Sequence, residues 1–244
     1  MDNDFLYIAN WKMELPYNSV RKLVLQLKSS SLKAKKLVIC PSFESLEFCS
    51  KELCDTSIKI GAQHCSSFSV GAFTGSVSAK SLGQIGCSYC LVGHSEQMSL
   101  SKEGNKQNSL KVLQLLNSNI IPIFCINSLD KEVDSKLYKE NLKEELKYLF
   151  KNLLNVKKGL LYIALEPLWA IGTGVTPSSV YIENAFNAIK ELFKENLSHI
   201  KVLCIYGGSV NQETIVNLKK ISQLNGVLIG KASINFQSLE KIVT

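Results

Sequence analysis

An ammonium, an imidazole and a carboxylate each stand one to three residues beyond a short apolar run, the placement from which acid–base chemistry can be built. Lys12 follows Phe5 to Ala9 in Asn10-Trp11-Lys12. His94, one of three histidines, follows Tyr89 to Val92 in Gly93-His94-Ser95-Glu96. Glu166 follows Leu160 to Leu165, and a carboxylate at a strand end is a candidate general base. Ser95 can cap a short helical turn whose N–H groups disfavour an imidazolium, so a neutral His94 is expected to donate a hydrogen bond to a polarised carbonyl. The glycine-bearing turns Tyr206-Gly207-Gly208-Ser209-Val210 and Gly226 to Ser233 would let main-chain N–H groups close around an anion. Base, neutral donor, cation and anion grip are together the set for moving a proton within a small anionic substrate. Singly, each is weak: a loop lysine is ordinarily solvated, a lone histidine packs or sits on the surface, and Glu166 can be structural.

These groups need elements that bring them to one place. Eight apolar, β-branched runs recur: Phe5 to Ala9, Leu37 to Cys40, Ile58 to Ala62, Tyr89 to Val92, Ile121 to Ile126, Leu160 to Leu165, Val202 to Tyr206 and Val227 to Ile229. They lack strict alternation, as strands buried on both faces of a parallel sheet do. Helical spacing separates them, as in Val20, Leu23, Val24 and Leu27, or Leu142, Leu146, Leu149 and Leu153. Eight strand–helix units without a linker or a change in composition predict an α/β protein, a single (β/α)8 barrel domain over residues 1–244. The rival, an open doubly wound sheet, calls for a glycine-rich turn after the first strand, and Ala9-Asn10-Trp11-Lys12 has no glycine. In a barrel, residues just past each strand gather at one mouth. The segment Pro167 to Pro177 is apolar and proline-framed, which suits a lid in which Trp169 and Ile171 exclude water.

Composition sets the limits. With 244 residues, 45% hydrophobic and 20% charged, the chain can bury a large core, which excludes disordered and low-complexity classes. No apolar run approaches the roughly 18–20 residues of a membrane span, and the acidic start Met1-Asp2-Asn3-Asp4 does not read as a signal peptide. Neither a membrane nor a nucleic-acid partner is expected, because zinc-finger spacing, an arginine-rich arm and an aromatic cluster are all missing. Net charge +7 comes from lysines scattered along helical faces, and a modest positive field drawing in small phosphorylated anions is expected. The eight cysteines mostly sit in strand-like runs and read as reduced core thiols of a cytoplasmic protein. Two tempting motifs fail. Gly226 to Lys231 has three residues between its glycines and Ala232 where a P-loop needs Ser or Thr, and Cys87-Ser88-Tyr89-Cys90 lacks a second pair for zinc.

Five blocks now carry a resemblance over essentially the whole chain. Ile8-Ala9-Asn10-Trp11-Lys12-Met13, Gly71-Ala72-Phe73-Thr74-Gly75, Val92-Gly93-His94-Ser95-Glu96, Glu166-Pro167-Leu168-Trp169-Ala170-Ile171-Gly172-Thr173-Gly174 and Tyr206-Gly207-Gly208-Ser209-Val210 resemble the triosephosphate isomerase family, in its order. The resemblance implies the TIM-barrel fold and interconversion of dihydroxyacetone phosphate and glyceraldehyde 3-phosphate in glycolysis and gluconeogenesis. It makes Glu166 the base, neutral His94 the electrophile and Lys12 the cation. Asn10 would help hold the substrate, Glu96 would orient the array from behind, and phosphate would rest on N–H groups of Gly172, Ser209, Gly230 and Lys231. No metal or organic cofactor is implied, and the Gly71 to Gly75 loop implies a homodimer.

The chain also departs from the family. Gln97-Met98 replaces two arginines, Ser76 a Glu, Asn127-Ser128 a Gly-Glu, and Lys231 a glycine, and the hinge Val175-Thr176-Pro177 is two residues short. None removes a reacting group. A catalytically dead paralogue that binds triose phosphate or a protein partner stays open, and so does another phosphate-gripping barrel such as an aldolase. A Schiff-base aldolase needs a lysine inside the barrel, and the candidate strand cores have none.

Overall fold

A computed structural model describes residues 5–127, 136–170 and 176–244. The strands are β1 (Leu6–Asn10), β2 (Leu37–Cys40), β3 (Lys59–Ala62), β4 (Cys87–Val92), β5 (Ile121–Ile126), β6 (Gly159–Leu165), β7 (Ile200–Gly207) and β8 (Leu224–Ile229). Each pairs in parallel with the next, and β8 pairs with β1, closing the barrel. The helices between them are α1 (Tyr17–Ser29), α2 (Leu46–Glu52), α3 (Ala79–Gln84), α4 (Ser95–Ser101), α5 (Asn105–Asn117), α6 (Lys136–Leu153), α7 (Ser179–Asn196), α8 (Thr214–Leu218) and α9 (Phe236–Val243). This is a (β/α)8 TIM barrel forming a single domain.

The alternation of strand side chains makes two cores. Leu6, Ile8, Val38, Leu91, Ile123 and Leu228 fill the inside of the barrel. Their neighbours Tyr7, Ala9, Leu37, Ile39, Val92 and Phe124 face outward and are covered by the helices. Both faces being apolar is why the strands read as unbroken runs. The lysines of the described strands, Lys59 and Lys201, are exposed at the starts of β3 and β7, so those strands place no Schiff-base group inside the barrel.

The helices cover the outer core through one stripe each. Val20, Leu23, Val24 and Leu27 are the buried residues of α1, and Leu142, Leu146, Leu149 and Leu153 are buried along α6. The Oγ of Ser178 accepts the Tyr181 N–H and so starts α7. The seam between β1 and β8 depends on Gly226, because a Cβ there would lie 2.2 Å from the Leu6 carbonyl oxygen. Seven cysteines are buried and free, as expected, but Cys54 is exposed, since the turn between α2 and β3 lies outside the core.

Candidate active site

Each strand delivers its last residues to the same rim. Asn10 ends β1 and is buried, and its Oδ1 accepts the Lys12 N–H at 3.1 Å. Lys12 adopts φ +52°, a left-handed conformation that a non-glycine residue holds only when its surroundings enforce it. Gln63, directly after β3, supplies that enforcement: its Nε2 donates to the Lys12 carbonyl at 2.7 Å and to the Cys40 carbonyl at 2.9 Å. The Lys12 ammonium lies 2.5 Å from Glu96 Oε1.

His94 leaves β4 through Gly93, whose φ is +74°. The expected cap of the following turn is corrected by one residue. His94 itself caps α4, and its Nδ1 accepts the Glu96 N–H at 3.3 Å, while Ser95 is the first helical residue. Imidazole can fill the acceptor role that Ser usually plays, and using Nδ1 this way leaves Nε2 to carry the proton. Nε2 points at Glu166 Oε1, 3.5 Å away.

Glu166 follows β6, its N–H held by the Ile126 carbonyl at 3.0 Å, and is only 3% exposed. Burial pushes its carboxyl above the usual carboxylate range, although the His94 ring, the Lys12 ammonium and the Ser95 N–H pull the other way. Its Oε2 has no hydrogen-bond partner among the described residues. The Cys125 thiol lies against it and is pushed well up, by burial first and by the carboxylate second. On the other side a Cβ at Gly207 would sit 2.8 Å from Glu166 Cγ, and one at Gly208 would sit 2.4 Å from Tyr206 Oη. These glycines therefore make room for Glu166 and Tyr206, a packing role beyond the anion contact read from sequence.

Asn10, Lys12, His94, Glu96, Glu166, Ser209, Gly230 and Lys231 line one cavity of about 290 Å³ at the rim. Gly172 lies outside the described residues. Lys231 opens a short 3₁₀ turn without positive φ, so a side chain is tolerated there. Glu96 stands beside Lys12 with half of its side chain exposed. A cavity of about 470 Å³ between α7 and α8 has Glu183 and Lys220 as its ionisable groups and none of the rim side chains.

Two supports escaped sequence reading. Asn127 Nδ2 donates to the Gly93 carbonyl at 2.6 Å, and the Asn127 N–H is held by Glu145 Oε1 at 3.2 Å. That braces the peptide in front of His94. Lys111 on α5 is fully buried and bonds Glu103, with His64 Nδ1 at 3.3 Å, which ties the loops after β3 and α4 together. Burial and that ammonium push His64 down to about 4.

A closed parallel barrel whose strand ends bring a carboxylate, an imidazole and an ammonium into one cavity belongs to the class of (β/α)8-barrel enzymes. The family model described as triosephosphate isomerase matches residues 5–244. The triosephosphate isomerase of Wolbachia pipientis wMel is 39% identical over 98% of this chain and 93% of its own length. That of Wolbachia sp. subsp. Brugia malayi is 40% identical over 98% and 96%, and that of Mesomycoplasma hyopneumoniae strain 232 is 35% identical over 98% of both. The chain belongs to the triosephosphate isomerase family.

Proposed function

We propose that the rim cavity interconverts dihydroxyacetone phosphate and D-glyceraldehyde 3-phosphate through an enediol(ate), the triose step of glycolysis and gluconeogenesis. The observation that carries this reading is the 3.5 Å approach of His94 Nε2 and Glu166 Oε1 across a cavity that also holds the Lys12 ammonium. Glu166 takes a proton from one carbon and returns it to the neighbouring one. His94 donates from Nε2 to the substrate oxygen as negative charge builds there, and Lys12 stabilises that charge together with the phosphate. Asn10 fixes Lys12 and contacts the substrate, and Glu96 sets the position of the ammonium. Main-chain N–H groups of Ser209, Gly230 and Lys231, joined by Gly172 from the lid, hold the phosphate. These residues complete the proton transfer without a metal or an organic cofactor.

Glu166→Asp tests the assignment. Drawing the carboxylate back by about 1 Å should lower turnover on the order of a hundredfold in a coupled assay. An unchanged rate removes Glu166 from the role.

The molecule works in the cytoplasm as a homodimer. Met13 (94% exposed) and Val70 (71%), with Phe68 and Phe73 stacked at 4.2 Å, present an apolar surface that a second copy would cover. Sedimentation giving a fully active monomer at nanomolar protein defeats the dimer assignment.

A further inference from the structure

Eight of the lysines behind the net charge of +7 lie at one end of the barrel. Because all eight strands run the same way, the turns that lead into them lie at the end opposite the mouth. Lys33 and Lys35 precede β2, Lys59 opens β3, Lys157 and Lys158 precede β6, Lys201 is the second residue of β7, and Lys219 and Lys220 precede β8. All but the half-buried Lys219 are exposed. Lys219 lies over the Tyr7 ring at 5.5 Å, and no carboxylate pairs with any of these ammonium groups among the described residues. The one acid in those described turns, Asp55, is 3.7 Å from Lys28, which Glu52 also approaches at 3.6 Å. Lysines scattered in sequence are thus gathered by the fold into two groups, one at the entries of β6, β7 and β8 and one at those of β2 and β3.

We propose that this basic end docks on an anionic lipid bilayer, holding the molecule at the membrane surface with its mouth turned towards solvent. Three observations select a bilayer among polyanions. Leu154 is 60% exposed three residues before Lys157, an apolar side chain among cations that can enter the headgroup layer. The exposed aromatic side chains Tyr17, Phe43, Phe68 and Phe73 lie in mouth-side segments, and at the basic end Phe5 is half-buried edge-on to Tyr7, whose ring lies under Lys219, which leaves bases little to stack on there. The cations there are all lysines, point charges suited to laterally mobile phosphates; the directional fork of arginine is absent, and Arg21 lies over the Phe48 ring. No described helix is long and apolar enough to cross a membrane, so the attachment is peripheral and electrostatic.

The test is co-sedimentation of the full chain with vesicles of phosphatidylcholine alone or with roughly a third phosphatidylglycerol, at low and high salt. Binding is expected on the anionic vesicles alone, with loss at high salt. The triple substitution Lys157→Glu, Lys158→Glu and Lys201→Glu should weaken partitioning on the order of tenfold or more while leaving the circular dichroism spectrum and turnover as in the wild type. Lys33→Glu with Lys35→Glu, on a separate turn, provides an independent pair should the triple variant not fold. Failure to sediment with anionic vesicles, equal binding to neutral ones, or wild-type binding by a folded variant overturns the proposal. Tighter binding to duplex RNA at matched phosphate concentration overturns the bilayer assignment as well. Neither result bears on the isomerase reading, which concerns the other end of the barrel.

Discussion

Gly207→Ala isolates the placement of Glu166 from every other property of the site. The added methyl would lie 2.8 Å from Glu166 Cγ and 3.0 Å from Oε1. Non-bonded carbons settle at about 3.5–4.0 Å, so the carboxylate has to move by roughly 0.5–1 Å. Gly207 does not have positive φ, so alanine adds no backbone strain there. The Cys125 thiol and the His94 ring stand on other sides of the carboxylate, which leaves the cavity as its direction of escape. A displacement of about 1 Å at a reacting group costs on the order of a hundredfold in rate, so turnover should fall between about tenfold and a hundredfold. KM and affinity for a phosphoglycolate-type mimic should stay within about twofold, because the phosphate grip lies on other residues. Coupled assays in both directions, with thermal unfolding as the control for folding, decide the matter. Wild-type turnover in a folded variant, or a raised KM with turnover intact, would refute the packing argument and the role it assumes for Glu166.

Other perturbations follow from the same geometry. Glu166→Gln should abolish turnover yet raise Tm at neutral pH. The folded carboxyl is shifted up, so above that shifted value both states are ionised and the fold bears the cost of burying the charge, whereas below the unfolded value both are protonated and nothing is gained. The gain should therefore shrink as pH falls through the folded value towards 4.5 and below, at about 2–4 °C for each kcal/mol relieved, and a pH-independent gain would contradict it. Asn127→Ala removes the 2.6 Å bond to the Gly93 carbonyl. It should cost about 1–2 kcal/mol in urea unfolding and lower turnover several-fold with KM little changed. Intact turnover would show that Gly93 holds His94 without help.

The strands were legible because burial on two faces writes them as continuous apolar runs. β7 and β8 begin earlier than their runs, since Lys201, Asn225 and Gly226 interrupt the pattern at the far end. Asn225 Oδ1 there accepts the Cys204 N–H at 2.9 Å, and Gly226 gives the seam its clearance. Lys12, His94 and Glu166 were legible by their position after a run. Gln63 obeys the same rule, one residue beyond β3, and an amide at a strand end was the available signal. Asn127 also follows its run directly, but its partner is the carbonyl of Gly93, thirty-four positions earlier, which only the pairing of β4 with β5 brings near. The Lys111–Glu103 pair had no signal, because a lysine on a helix reads as solvated until the fold covers it.

Proximity explains why the rim group works as a unit. Burial raises the Glu166 carboxyl above the usual carboxylate range, which by itself disfavours the ionised form that a base needs. The Lys12 ammonium and the Nε2 face of His94 offset part of that cost, and both are fixed from outside the cavity, by Gln63 for the lysine and by the α4 cap for the imidazole. The ammonium is shared with Glu96, so an arriving phosphate dianion competes with a carboxylate for it, and the outcome alters the charge felt by Glu166. Substrate binding and the strength of the base are therefore coupled through Lys12. Replacing Glu96 should consequently tighten binding of the phosphate dianion, whose competitor is gone, and shift the pH dependence of turnover, because an unshared ammonium pulls harder on the base; an affinity and a pH profile both as in the wild type would refute the coupling.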